Sequence, residues 1–545
     1  MSARPTFSPV PHYPDDCNAL RSKNQDEWIP ILSCAASFPL DLFVVAAEQM
    51  VQHPEYNSTL ILRSETLSET STDSGDLLGN LPCIEGMLPM KNIHRKLLPR
   101  RPCRDAPIEQ HCTFYCNSTK PSKFTEESDI PSPSCLILSP IIQPGETMPY
   151  YHPTVAHLAV RYLRSLEEPG VHESSADLAK CSIGIEVIPL AGTPDPTEPN
   201  SRVYRTCLAL LDTIHRYGWG ALTNYKKRVV HDSLVTRETY QDLYLILRER
   251  HKYLVNQWKE STDPLKHVFE DIGIATFLML LWKETYGPEN GQTSVIDDSG
   301  HDGDTAPWRT WPRPPGGFID LGCGNGLLTH ILTSEGYSGT GIDVRARISW
   351  AHYPEASQAN LKVVAFDPMS FPSDKDNELF LPGAFIIANH ADELTPWTPV
   401  LATLSSASGY LSIPCCAWSF ESKFERSQST SSGSNVFHVS FKDTPQEFID
   451  ELRLGGDGSN KSSYSMYRIW LAYLSADCGW EIECETLRIP STRNWAIVGT
   501  TFIAIRRRRN RDIQKSRECA VSILRKVRER GLFKPRKPEG KAGHK

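Results

Sequence analysis

The chain of 545 residues has no apolar run long enough to cross a bilayer. Its most apolar stretch, Ile272 to Trp282, covers eleven residues, where a spanning helix needs roughly 20. The start, MSARPTFSPVPHYPDDCN, is polar and proline-rich and lacks the basic and apolar regions of a signal peptide. The expectation is a soluble cytoplasmic protein with no membrane partner, whose fifteen cysteines stay reduced. Paired zinc spacing is lacking too. Cys112 and Cys116 have His111 and Cys103 nearby but no second ligand pair, so no metal is expected.

Charge is unevenly spread. From Arg506 to Lys545 there are sixteen Lys or Arg against four Asp or Glu, about +12. The other 505 residues then carry about −19 of the total of −7. An acidic body with a basic arm suits a polyanionic partner, and Arg506, Arg507, Arg508 and Arg509 are its densest part. A second basic group, Tyr225-Lys226-Lys227-Arg228, sets an aromatic ring beside three cations, and Arg493 lies close to Trp495. Single-stranded RNA is bound by this pairing of stacking faces and phosphate contacts.

The most informative stretch is Phe318 to Asp343, FIDLGCGNGLLTHILTSEGYSGTGID. A short apolar strand reaches Asp320. Then come Gly322, Gly324, Asn325 and Gly326, a helical apolar pattern, and a second strand ending on Asp343. The gap between the two acids matches one βαβ unit. Dinucleotide-binding turns place a pyrophosphate at the helix N-terminus, and an acid ahead of the first glycine opposes that. A ligand with an ammonium group and a ribose, but no phosphate, suits both acids. S-adenosylmethionine has that chemistry. Further short strands end at Asp367, at Asn389-His390-Ala391-Asp392-Glu393 and at Cys415, with two successive strands at Trp480–Leu487 and Ala496–Ile505. The pattern predicts an α/β fold, a mostly parallel doubly wound sheet closed by an antiparallel strand, with the strand ends lining one crevice.

Composition divides the chain into an N-terminal α+β domain (1–200), a helical region (201–283) offering tRNA contact, a Gly/Pro/Asp/Ser-rich linker (284–315), a catalytic domain (316–505) and a basic tail (506–545).

Five passages resemble the tRNA (uracil-2′-O-)-methyltransferase family: His215 to Arg228, Asp263 to Ile274, the turn through Gly336 to Asp343, Asn389 to Leu394 with Ile413 to Cys416, and Arg488 to Asn494. The resemblance implies a class I, Rossmann-like methyltransferase domain with S-adenosylmethionine as donor. It implies a uridine 2′-hydroxyl of serine tRNA as acceptor. It carries Asp320, Gly322, Gly324 and Asp343 to cofactor binding. Position adds Asn325, Gly326 and Asp367 to that site. It makes His390 and Asp392 rival candidates for general base, with Asn389 orienting the hydroxyl. A methyltransferase acting on another RNA or on protein, and a non-catalytic tRNA-binding subunit, are the alternatives.

Overall fold

The computed structural model describes residues 4–11, 18–23, 27–71, 81–118, 132–143, 145–164, 181–225, 230–287, 306–372, 378–425, 436–439, 441, 443–455, 462–500 and 513–533. The chain forms two compact units, Met1–Lys226 and Lys227–Lys545.

The first unit is a seven-stranded antiparallel sheet in the order β1-β7-β6-β5-β4-β3-β2. The strands are β1 (Ile29–Ala35), β2 (Ile61–Ser71), β3 (Met87–Pro99), β4 (Ile108–Asn117), β5 (Cys135–Ile141), β6 (Val155–Arg164) and β7 (Cys181–Pro189). Helices α1 (Leu40–Gln52) and α2 (Arg202–Leu222) share its core. Ser201 caps α2 by accepting from the Tyr204 N–H at 3.0 Å. The face Val203, Cys207, Leu211 and Ile214, spaced three and four residues apart, lies in the same hydrophobic cluster as Leu136, Val160 and Ile185. This corrects the expected boundary at residue 200. Helix α2 has nowhere else to bury that stripe, so it belongs to the N-terminal unit and not to a separate helical region.

The second unit begins with α3 (Arg237–His251) and α4 (Pro264–Thr285). Its sheet has the order β10-β9-β8-β11-β12-β14-β13. The strands are β8 (Phe318–Leu321), β9 (Gly339–Asp343), β10 (Leu361–Val363), β11 (Phe385–Asn389), β12 (Gly409–Ile413), β13 (Glu481–Thr486) and β14 (Trp495–Thr500). The first five pair in parallel. β14 runs antiparallel to β12 and to β13. Both faces are buried. Ile319, Leu321 and Ile386 enter one hydrophobic cluster, while their neighbours Phe318, Phe385 and Ile387 enter the other, the period-two alternation of a sheet covered on both sides. Helix α4 starts on Asp263, whose carboxylate accepts from Leu265 N–H, with Pro264 at the first helical position. Every residue from Glu270 to Trp282 is buried, so α4 is a core helix. The strand expected at 363–366 sits earlier, at Leu361–Val363.

Two further expectations change. Residues 307–310, assigned to the linker, form a turn whose Trp308 is buried. Its Nε1 donates to Glu335 at 2.8 Å. Glu335 also accepts from Arg250 (3.0 Å) and His251 (2.6 Å). Burial alone would raise this carboxyl, but these donors hold it at about 2. Residues 288–305 of the linker lie outside the described residues. Part of the basic tail is ordered: Ile513–Arg530 is a helix. Its Ala520, Ile523, Leu524 and Val527 are buried in the cluster formed by one sheet face. Burying three branched side chains contributes about 5 kcal/mol. Truncation after Ile505 is therefore expected to lower the melting temperature of the catalytic unit. An unchanged melting curve would show the helix to be dispensable.

Candidate cofactor and active site

After β8 the chain makes three left-handed turns, at Gly322 (φ 69°), Gly324 (φ 54°) and Gly326 (φ 74°), before α5 (Leu327–Ser334). A side chain at these angles is strained, which explains the glycines. Asp320 is 1 % exposed. Its Oδ2 accepts from Thr329 Oγ1 at 2.9 Å, while Oδ1 is buried without a partner. Burial, with a smaller push from Asp343, raises this carboxyl to about 7. At the end of β9, Asp343 accepts from Gly324 N–H (3.0 Å) and Arg345 N–H (3.2 Å), which locks the glycine turn to the neighbouring strand.

These residues form one wall of a cleft of about 630 Å³. Asn389 ends β11 in it, His390 and Asp392 follow, and Cys415 follows β12. Glu270 and Asp271 enter from α4, and Ser491 and Arg493 from the β13–β14 connection. His390 (φ 57°) and Asp392 (φ 46°) hold left-handed backbone, a cost of order 1 kcal/mol each that well-ordered functional loops sustain. His390 Nε2 is 3.3 Å from Glu270 Oε1. Burial opposes ionisation of Glu270, but hydrogen bonds from His390 and Ser491 and the charge of Lys266 outweigh it and hold the carboxyl below its usual range. Asp271 is pushed well up by burial, with Glu270 and Asp320 adding to the effect.

Several acids crowded into one cleft, one with an orphaned buried oxygen, suit a ligand that carries positive charge. Gly324 fits this as well, because a Cβ there would project into open space at the cleft wall. The donor set therefore accommodates an ammonium-bearing nucleoside.

A family model described as "TRM44-like, N-terminal bet v1-like domain" matches residues 7–228, and one described as "Predicted AdoMet-dependent methyltransferase" matches 234–304 and 309–368. A tRNA (uracil-O(2)-)-methyltransferase of Neurospora crassa is 31% identical over 87% of this chain and 87% of its own length. The enzymes of that name from Schizosaccharomyces pombe (31%; 88% and 86%) and Saccharomyces cerevisiae (30%; 87% and 87%) are similar to the same extent.

The chain belongs to the tRNA (uracil-O(2)-)-methyltransferase family.

No solved structure matches it. The two family-model matches part within residues 228–234, close to the division between the two structural units at 226/227.

Within this family member the sequence-assigned residues are not all equivalent. Asp320, Gly322, Gly324, Asn325, Asp343, Asn389, His390 and Asp392 line the cleft together. The Asn325 side chain is already engaged, accepting from Leu327 N–H at 2.9 Å to cap the helix start. Gly326 and Asp367 are not among the cleft-lining residues. A Cβ on Gly326 would meet Leu361 at 2.8 Å, so that glycine serves close packing. Asp367 turns back to accept from Met369 N–H at 2.9 Å, capping a short turn. Arg493 reaches the cleft, but its guanidinium lies over Tyr464 (3.9 Å), while Arg468 takes the face of Trp495 (5.4 Å). Tyr225 is 70% exposed in the first unit. Lys226, Lys227, Arg228 and Arg506 to Arg509 lie outside the described residues. Sequence reasoning missed Glu270 and Asp271. Their signal was two adjacent acids at the mouth of the chain's most apolar run.

Cys415 also lines the cleft, with Sγ 3.9 Å from Asp392 Oδ1. Burial, then Cys416 and Asp392, push its thiol up to about 12. A thiol in that state is a poor nucleophile.

Proposed function

We propose that this protein transfers a methyl group from S-adenosylmethionine to the ribose 2′-hydroxyl of a uridine in tRNA, with serine tRNA as the acceptor, in the cytoplasm. The observation that carries the reading is the pairing of Asp343 with the glycine turn beside a buried, half-satisfied Asp320. A Rossmann-like reading of the sheet is consistent with its parallel core, its two covered faces and its antiparallel closing strands.

The cofactor supplies an activated methyl group and a neutral leaving group. Asp343 would accept from the ribose hydroxyls, and Asp320 would balance the positive charge. The remaining task is to align an acceptor oxygen and take its proton. His390 Nδ1 is enclosed by protein, and Nε2 faces Glu270. The hydroxyl proton would therefore pass to the Glu270 carboxylate, kept ionised and oriented by His390 Nε2, rather than to His390 itself. Asn389 would orient the hydroxyl. The high thiol value at Cys415 disfavours methylation of a base carbon through a cysteine adduct.

The pH dependence of cofactor affinity follows from Asp320. Its carboxyl titrates at about 7 in the free protein, and a cationic ligand prefers the carboxylate. Affinity is expected to be full above pH 7 and to weaken below it, by up to tenfold per unit if binding requires the ionised form. Calorimetry between pH 5.5 and 8.5 checks this, and the slope should vanish in Asp320→Asn, which should bind weakly throughout.

The function is tested by nucleoside mass spectrometry of tRNA after incubation with the protein and S-adenosylmethionine. The expected product is 2′-O-methyluridine at one position of serine tRNA. Label on a base, on protein or on no substrate would overturn the proposal.

A further inference from the structure

Close to His390 in the chain, and used by no step above, three metal-ligating side chains converge. Asp392 follows β11, and Cys415 and Cys416 follow β12. The two strands pair in parallel as neighbours, so the loops at their carboxyl ends leave the sheet side by side. Cys415 Sγ is 3.9 Å from Asp392 Oδ1. One donor atom from each of Asp392, Cys415 and Cys416 lies within 4.8 Å of the other two. Adjacent side chains on a strand point to opposite faces. These cysteines lie past the end of β12, after Pro414, whose carbonyl accepts from Tyr464 Oη at 2.6 Å. There both thiols come within reach of one carboxylate. Among the described residues no other three His, Cys, Asp or Glu side chains bring their donor atoms so close. No short spacing announces the group, because Asp392 and Cys415 are 23 residues apart.

Chemistry and spacing select the ion. A tetrahedral zinc ion holds sulfur at about 2.3 Å and carboxylate oxygen at about 2.0–2.2 Å, which sets its ligand atoms roughly 3.5–4 Å apart. The three donors stand near that spacing. Magnesium and calcium take oxygen ligands and have no use for two sulfurs, whereas two thiolates and a carboxylate suit zinc. Three protein ligands leave a fourth position for water. Cys416 is exposed and Cys415 half-buried, so the ion has a way in.

We propose that Asp392, Cys415 and Cys416 form a zinc site on the acceptor side of the cleft. On binding, two S–H bonds break, two zinc–sulfur bonds form, and both protons leave to solvent. One consequence rests on the methyl-transfer reading given above. Asp392 and Cys415 line the same cleft as His390, so an ion held there occupies the space that the acceptor hydroxyl needs. It leaves Asp343 and the glycine turn untouched. Zinc is therefore an inhibitor that competes with tRNA and not with the cofactor.

The test uses the full-length protein in a reducing buffer free of small thiols, with Co²⁺ and Zn²⁺ alone as probes. Co²⁺ is expected to give the sulfur-to-cobalt charge-transfer band of a thiolate site. Zn²⁺ should abolish that band and release about two protons per ion. Losing even a hydrogen bond to a metal ligand costs roughly 10–100-fold in affinity, so losing a ligand should cost at least that. Cys416→Ser and Asp392→Asn are each expected to weaken zinc binding by tenfold or more. Cys416 is exposed and does not line the cleft, so Cys416→Ser should fold and keep full activity in the presence of a chelator. It should also escape zinc inhibition, while S-adenosylhomocysteine affinity stays the same with and without zinc in the unsubstituted protein. Cobalt binding without the thiolate band overturns the site. So does zinc affinity that is unchanged in either variant. Zinc that binds there and leaves tRNA methylation unimpaired, or speeds it, overturns the placement on the acceptor path. If no tRNA product forms with or without zinc, the proposed reaction fails, and the cobalt spectrum and zinc affinities still decide the site.

Discussion

Asp343→Ala is expected to lose S-adenosylmethionine binding by about a hundredfold or more while the protein stays folded. Two effects add. The ribose hydroxyls lose a charged acceptor, and each donor left unpaired in the cleft costs about 1–3 kcal/mol. The Gly324 and Arg345 N–H groups lose the carboxylate that pins the glycine turn to β9. Asp343→Asn keeps one acceptor oxygen and should fall between the two. Titration calorimetry reads the affinity, and a melting curve without cofactor reads the fold. Unchanged affinity in the alanine variant would remove Asp343 from the cofactor site.

The glycine-turn half of the candidate site was legible because local chemistry dictates it. Three left-handed angles in five residues demand glycine, and an acid at the end of each flanking strand is visible in a single window. Gly326 and Asp367 show the limit of that window. Both occur where ligand-binding residues are expected, yet one answers to the side chain of Leu361 and the other to its own following turn. A sequence pattern does not distinguish a glycine that admits a ligand from one that admits a neighbouring leucine. The acceptor half was less legible because its parts come from distant segments. Glu270 meets His390 across 120 residues of chain. Helix α2 was misassigned for a related reason. Its apolar stripe is evident, but the core that covers it includes strands as far away as β1, and periodicity does not name a partner. The helix at Ile513–Arg530 was hidden by composition, since its charged face dominates the count while its small apolar stripe anchors it.

The largest kinetic effect is expected from breaking the His390–Glu270 pair. The choice of substitution matters, because His390 and Asp392 hold left-handed backbone. Alanine at either place adds strain to the loss of chemistry, whereas asparagine tolerates that region. His390→Asn and Glu270→Gln are therefore the informative variants. Each is expected to lower the single-turnover rate at saturating cofactor by roughly 10²–10⁴-fold, the range for removal of a general base. Cofactor affinity should change little, because neither side chain holds the glycine turn. If the two act as a unit, the double variant should be scarcely slower than the worse single one. Asp392→Asn should cost less, since that acid serves the loop and neighbours Cys415. A larger loss at Asp392 than at His390 and Glu270, or fully multiplicative losses in the double variant, would move the base to Asp392 and leave the pair a structural strut between α4 and the end of β11.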